Sequence, residues 1–249
     1  MYLKDWALQV AKGLLIRTPK RIFYFFKFLK EFNRFSNNEK RFEIQFKEII
    51  PCLNDRVTNT PYDHHYIYHP AWAARIINTY KPQVHIDISS ILYFSTMLSA
   101  TIPVHFYDYR PADVHLSNLD CGKIDLKHMH FESGSIHSLS CMHTIEHIGL
   151  GRYGDALDND GDLKAINEIK RVMAVGGNVL FVTPVGKPKI LFNGHRIYSY
   201  EQIISYFQNF ELRNFAMVPD AGGFIDNANP QLVATQNYAC GCFWFTKIS

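Results

Sequence analysis

Apolar positions change their spacing twice along the chain, and the two changes divide it. From Trp6 to Phe35 they recur every three or four residues (Trp6, Val10, Leu14, Ile22, Phe25, Phe26, Leu29, Phe32, Phe35) among lysines and arginines. That is the period of an amphipathic helix. Thr18-Pro19 predicts a break into two helices, with Pro19 at the start of the second. Residues 51–70 have no period and hold Pro51, Pro61 and Pro70, which reads as a connecting segment, and a helix over 71–80 is ended by Lys81-Pro82. From Val84 onward, short apolar runs alternate with helical stretches. Strands are expected at 84–90, 104–108, 121–125, 136–141 and 178–183, and two more near 211–218 and 238–247. A helix over 162–173 carries Leu163, Ile166, Ile169, Val172 and Met173 on one face, begins at an Asp160 or Asp162 cap and leaves through Gly176-Gly177. Ser199 to Gln202 is a capping-box start for another helix. This alternation predicts an α/β sheet that is largely parallel. The organisation expected is a basic helical extension over 1–50, a connecting segment and helix over 51–81, and an α/β domain over 82–249.

Charge sharpens the division. Residues 1–50 hold eleven of the 26 Lys/Arg but only five of the 23 Asp/Glu, so the remainder is mildly acidic. That argues against a nucleic-acid groove across the protein. The basic, Phe-rich stretch 21–30 fits three surfaces: the main domain, a second subunit, or an anionic membrane on which it would lie peripherally. No apolar run approaches the ~18 residues of a membrane span, and Lys4, Asp5 and Lys12 interrupt any secretory pattern, so a cytoplasmic protein is expected. Five cysteines form no CxxC pair, and Cys240 and Cys242 are too close for an ordinary disulfide, which favours free thiols.

The chemistry concentrates after the fourth strand. His143, Glu146 and His147 stand at i, i+3 and i+4, which on a first helical turn would share one face. His64, His65 and His69 gather in the connecting segment, as pocket residues or as loop packing. The acidic run 155–162 fails as a calcium loop, because aligning Gly161 with the loop glycine puts Ala156 first and Asn167 twelfth.

The stretch from Ala165 to Val185, a helix, a Gly-Gly turn and the strand Asn-Val-Leu-Phe-Val-Thr, resembles the fifth-strand region of class I S-adenosylmethionine-dependent methyltransferases, and Ile136 to Ile148 resembles their fourth strand with its Glu-His pair. The resemblance covers about residues 82–249. More narrowly, His85-x-Asp87-Ile-Ser-Ser and the run from Gly149 to Lys164 look like a methyltransferase-like family of undefined function associated with surface-polysaccharide gene clusters. The first loop, Asp87-Ile-Ser89-Ser90-Ile91-Leu-Tyr93, departs from the family by having no glycine.

The resemblance implies a Rossmann-like, mostly parallel sheet of seven strands with the last antiparallel, and S-adenosylmethionine as cofactor. It implies contacts to that cofactor from Asp87 and Ser89 after strand one, Asp108 after strand two, Asp125 after strand three and Cys141 on strand four. It further implies O-methylation of a small-molecule or glycan acceptor, a sugar or nucleotide-sugar of surface glycan synthesis. His147, His195, Glu146 and His143 are the candidate catalytic groups, with histidine the natural base for a hydroxyl. A divalent metal on His143, Glu146, His147 and His195 is a second reading, similar to the Glu-x-x-Glu-His set of small-RNA 2′-O-methyltransferases. A non-catalytic binding or scaffolding protein on the same fold is a third.

Overall fold

The computed structural model describes residues 2–249, with side chains from Pro19 onward. The chain divides into two compact units, 1–62 and 63–249. The first holds helix α1 (Tyr2–Ser36) and a 3-10 turn, Phe46–Glu48. Pro19 lies inside α1, not at a break, a single lost main-chain hydrogen bond in a helix of 35 residues. Trp6, Val10 and Leu14 lie outside the described side chains. Glu31 pairs with Arg56, Phe32 meets Phe46 edge-on, and Phe23, Phe26 and Phe35 are at least 60% exposed.

The second unit opens with α2 (His64–Tyr80), which begins seven residues before the expected helix. The Asp63 carboxylate accepts from the Tyr66 N–H and caps it, so His64, His65 and His69 ride on a helix and not in a loop. Pro70 had suggested a boundary, yet it sits inside the helix. The strands are β1 (His85–Asp87), β2 (Val104–Asp108), β3 (Leu119–Lys123), β4 (Ile136–Met142), β5 (Met173–Val185), β6 (Lys189–Leu191), β7 (His195–Ile197), β8 (Phe210–Val218) and β9 (Ala239–Lys247). Helices α3 (Leu92–Leu98), α4 (Gly161–Val172) and α5 (Tyr200–Tyr206) connect them. The main sheet has the order β3-β2-β1-β4-β5-β9-β8, with only β9 antiparallel to its neighbours. This is the expected seven-stranded Rossmann-like sheet. The β6–β7 hairpin, which presents His195, was not foreseen.

Strand alternation decides what each face receives. On β4, Leu139 and Cys141 join the core with Ile166, Ile169 and Val172 of α4 and Phe207 beside α5. Ser138, Ser140 and Met142 point to the other face, where α2 and α3 bring Trp72, Ile77, Phe94 and Leu98. On β9, Phe243 and Phe245 go to the first face, and Cys240 and Cys242 to the second.

Two local expectations change. Helix α4 ends at Val172 and the chain enters β5 directly at Met173; Gly176, at φ 79°, serves an irregularity in the β4–β5 register and not the helix exit. Neither aspartate caps α4 with its side chain, since Asp162 instead accepts from the Tyr198 hydroxyl at 2.8 Å and lies 3.5 Å from buried Arg196.

Candidate functional site

The strand order reverses between β1 and β4, and the chain segments leaving these two strands are stitched together there. Ser90 N–H donates to Met142 O at 3.0 Å, and the Thr144 hydroxyl donates to Ile88 O at 3.0 Å. Such a switch point leaves a crevice at the carboxyl edge of the sheet. A cleft of about 340 Å3 lies there. Ser89 and Ser90 after β1, Tyr107 to Arg110 at the end of β2, Ile124 to Lys127 after β3, and His143, Thr144 and His147 after β4 line it. Tyr153, Asp155 and Ala156 line it from the following glycine-rich loop.

Two of the expected cofactor acids line this cleft. Asp108 accepts from the Arg110 N–H at 2.7 Å, and Asp125 from the Lys127 N–H at 2.9 Å, which fixes each carboxylate at a strand end. The apolar walls are Ile88, Ile124, Leu126 and Ile148. Ile91 and Tyr93, from the glycine-free loop, do not line the cleft. They border a separate surface groove between α2 and α3.

Asp87 and Cys141 do not line it either, and strand alternation explains both. Ile86 and Ile88 face the α4 side, so His85 and Asp87, at the alternate positions, face the α3 side. The Asp87 carboxylate is fully buried and accepts from the hydroxyls of Ser140, Ser89 and Ser95. Burial raises its pKa to about 6, against the pull of those three hydroxyls. His85 touches Ser138 through Nδ1 at 2.6 Å and Ser140 through Nε2 at 2.8 Å, and burial lowers its pKa to about 3. One donor assignment satisfies the whole chain. Tyr80 donates to Ser138, Ser138 to His85 Nδ1, His85 Nε2–H to Ser140, and Ser140 to Asp87. Cys141, at an odd position of β4, is buried in the core beneath α4.

The catalytic candidates come together, but not on an α-helix. His143 takes a left-handed conformation (φ 53°) at the end of β4, and Ile145–His147 form a single 3-10 turn. His143 Nδ1 meets buried Glu146 Oε1 at 2.8 Å, and His147 Nε2 lies 3.9 Å from the same oxygen. His147 Nδ1 is 2.6 Å from Gly194 O. A carbonyl can only accept, so Nδ1 carries the proton and Nε2 is the basic nitrogen of neutral His147. His195 does not line the cleft. Its ring centroid is 6.3 Å from that of His147 and 4.8 Å from that of Tyr238, and burial lowers its pKa.

Sequence reasoning missed Asp155 and Arg110, and left His65 open between pocket and loop packing. Asp155 accepts from Gly149 N–H at 2.8 Å and holds the glycine-rich loop against the cleft. Arg110 stacks on Tyr153 at 4.5 Å and closes the mouth. His65 stacks on His143 at 5.4 Å, which places α2 against the cluster. Burial, then His143, brings the His65 pKa down to about 4, and burial holds His69 well below the ordinary histidine range. Only the crowding of histidines at 64–69 hinted at this. Among the described residues, the metal-capable donors that converge belong to His65, His143 and Cys240; those of His143, Glu146, His147 and His195 do not.

A family model described as Caenorhabditis protein of unknown function, DUF268, matches residues 113–218. Among curated proteins the chain has no match. Among solved structures it is similar to a candidate sarcosine dimethylglycine methyltransferase from Galdieria sulphuraria, at 12% identity and TM-score 0.52, over 72% of this chain and 85% of that one. It is similar also to the N-methyltransferase NodS from Bradyrhizobium japonicum, solved with S-adenosyl-L-homocysteine, at 11% identity and TM-score 0.51, over 72% and 86%. The 4+2 cyclase SpnF is as near, at 12% identity and TM-score 0.51, over 70% and 81%. Identities this low carry the fold alone. The sheet of residues 63–249 has the class I methyltransferase fold.

Proposed function

We propose that the protein is an S-adenosylmethionine-dependent methyltransferase acting on a hydroxyl, with a sugar or nucleotide-sugar of surface glycan synthesis as the acceptor class. The observation that carries the reading is the position of Asp108, at the end of β2 in the cleft that opens at the β1/β4 switch point. The residues present fit the cofactor. Asp108 would accept from the ribose hydroxyls, Ile124 and Leu126 would flank the adenine, Asp125 would take its amino group, and Ser89 and Ser90 would border the amino-acid end. When bound, the cofactor supplies an electrophilic methyl group on a sulfonium. His147 Nε2 would take the proton of the acceptor hydroxyl, and the Gly194 carbonyl, bound at Nδ1, would stabilise the resulting imidazolium. Arg110 and Tyr153 at the mouth suit a phosphorylated sugar.

Calorimetric titration of the full chain with S-adenosylmethionine tests this. Saturable binding that weakens at least 10-fold in Asp108→Ala is the expected result; a folded sample giving no heat up to millimolar cofactor sinks the reading. A second reading, a fold kept for binding without transfer, is favoured by the glycine-free first loop, and it is selected if the cofactor binds but no acceptor glycan is methylated. A cytoplasmic location with peripheral membrane contact or self-association through residues 1–50 is part of the proposal. It rests on the exposed Phe23, Phe26 and Phe35 in the basic segment. No helix among the described residues is long and apolar enough to cross a membrane. Salt-sensitive co-sedimentation with anionic vesicles is the test of the membrane contact.

A further inference from the structure

Behind the cleft wall, three side chains from three separate elements converge. His65 comes from the first turn of α2, His143 from the end of β4 and Cys240 from the second face of β9, and their donor atoms all lie within 4.8 Å of one another. His143 Nε2 already stands 3.4 Å from Cys240 Sγ. Donors bound tetrahedrally to zinc, at ~2.0–2.1 Å for nitrogen and ~2.3 Å for sulfur, lie roughly 3.3–3.6 Å apart. Closing the set therefore needs movement chiefly of His65, which is only half-buried.

His143 is also oriented as a ligand. Its Nδ1–H is donated to Glu146 Oε1 at 2.8 Å, which leaves the Nε2 lone pair toward Cys240. A carboxylate on the far nitrogen is the usual support of a metal-bound imidazole. His143 and Cys240 are buried, and the left-handed backbone at His143 holds its ring in this position. Around them two buried polar atoms, Glu146 Oε2 and His69 Nε2, have no hydrogen-bond partner. A neutral packing arrangement leaves the Glu146 carboxylate uncompensated, whereas a cation on His143 offsets its charge.

We propose that His65, His143 and Cys240 bind a borderline-soft divalent cation of the zinc class, with Glu146 as the positioning residue for His143. One thiolate and two imidazoles select such a cation over magnesium or calcium. Binding displaces the Cys240 thiol proton to solvent and leaves a fourth position for water or a substrate atom. His143 belongs both to this site and to the cleft lining, so the metal stands at the wall of the cleft. The site does not depend on the methyl-donor reading.

The test uses the full chain purified without a histidine tag, stripped with chelator and titrated with zinc or cobalt(II) alone. One metal per chain and a thiolate-to-cobalt charge-transfer band in the near ultraviolet are expected. Cys240→Ser abolishes the band, His65→Ala weakens binding at least 10-fold, and Cys242→Ser, on the adjacent thiol, retains both. Absence of saturable binding in the wild type overturns the proposal, as does a band that survives Cys240→Ser or disappears only with Cys242→Ser. If Cys240→Ser does not fold, His65→Ala decides: unchanged affinity in that variant overturns the site. Because no methyl donor is present, this outcome is independent of cofactor binding.

Discussion

Replacing Asp87 by asparagine exposes a cancellation built into the sheet. Burial lowers His85 from 6.5 to about 3, so below pH 6.5 the unfolded chain binds a proton that the folded protein refuses, and stability falls as pH falls. Asp87 does the reverse. Burial raises it from 3.8 to about 6, so between those values the folded protein holds a proton that the unfolded chain has lost, and stability rises as pH falls. Each contributes about 1.4 kcal/mol per pH unit with opposite sign, so from pH 6 to pH 4 the pair leaves the wild-type profile nearly flat. Asp87→Asn is close to isosteric and still offers an oxygen to Ser140 and Ser89, but it cannot take up the proton. Urea unfolding of both proteins across pH 4–7 checks this, since every other titrating group cancels in the difference. The variant should lose about 3 kcal/mol relative to wild type between pH 7 and pH 4, and His85→Gln should gain relative to wild type as pH falls below 6.5. A wild-type-minus-Asp87→Asn difference that stays constant to within about 0.5 kcal/mol over that range would refute a protonated Asp87 in the fold.

Other expectations follow from single contacts. A Cβ on Gly149 (φ 78°) would meet Asp158 O at 2.1 Å, whereas Gly154 (φ 82°) has open space around it. Gly149→Ala should therefore cost more than about 3 kcal/mol and Gly154→Ala about 1 kcal/mol, read from denaturation midpoints. Thr183 on β5 is fully buried and its hydroxyl has no partner, so Thr183→Val should raise stability by about 1 kcal/mol; a loss of that size would mean the hydroxyl is engaged. Asp162→Ala leaves buried Arg196 without its carboxylate and should cost about 3–5 kcal/mol, more than Tyr198→Phe, which breaks only the hydroxyl bond. With a methyl acceptor in hand, His147→Gln should lower kcat by roughly 100-fold or more while cofactor affinity stays within about twofold; an equal loss in both would move His147 from base to binding residue.

Much of the fold was legible because alternation and periodicity are local. Val104–Asp108 ends where its apolar run ends, and the capping box at Ser199 and Gln202 forms as written. What failed to read out depended on facing. Asp87 looked like a cofactor ligand by position, yet a period of two turns it under α3, where nearby Ser89 and Ser95 and distant Ser140 take it up. The His143 cluster was visible, but its geometry comes from a positive φ that no residue pattern announces. His65 and Cys240 are 175 positions apart and meet only because α2 packs on the face of β9 opposite Phe243.

The insertion of β9 between β5 and β8 has a consequence for biosynthesis. Both neighbours precede it in the chain, so while the protein is being made β8 has only its bridge to the segment around Ile225, and the edges of β5 and β8 that β9 later covers stay open. The half-sheet β3-β2-β1-β4-β5 can form first, but Cys240 joins His65 and His143 only when β9 threads the gap. A chain stalled before residue 239 would thus expose two open strand edges, those of β5 and β8, and be prone to aggregate until β9 fills the gap between them.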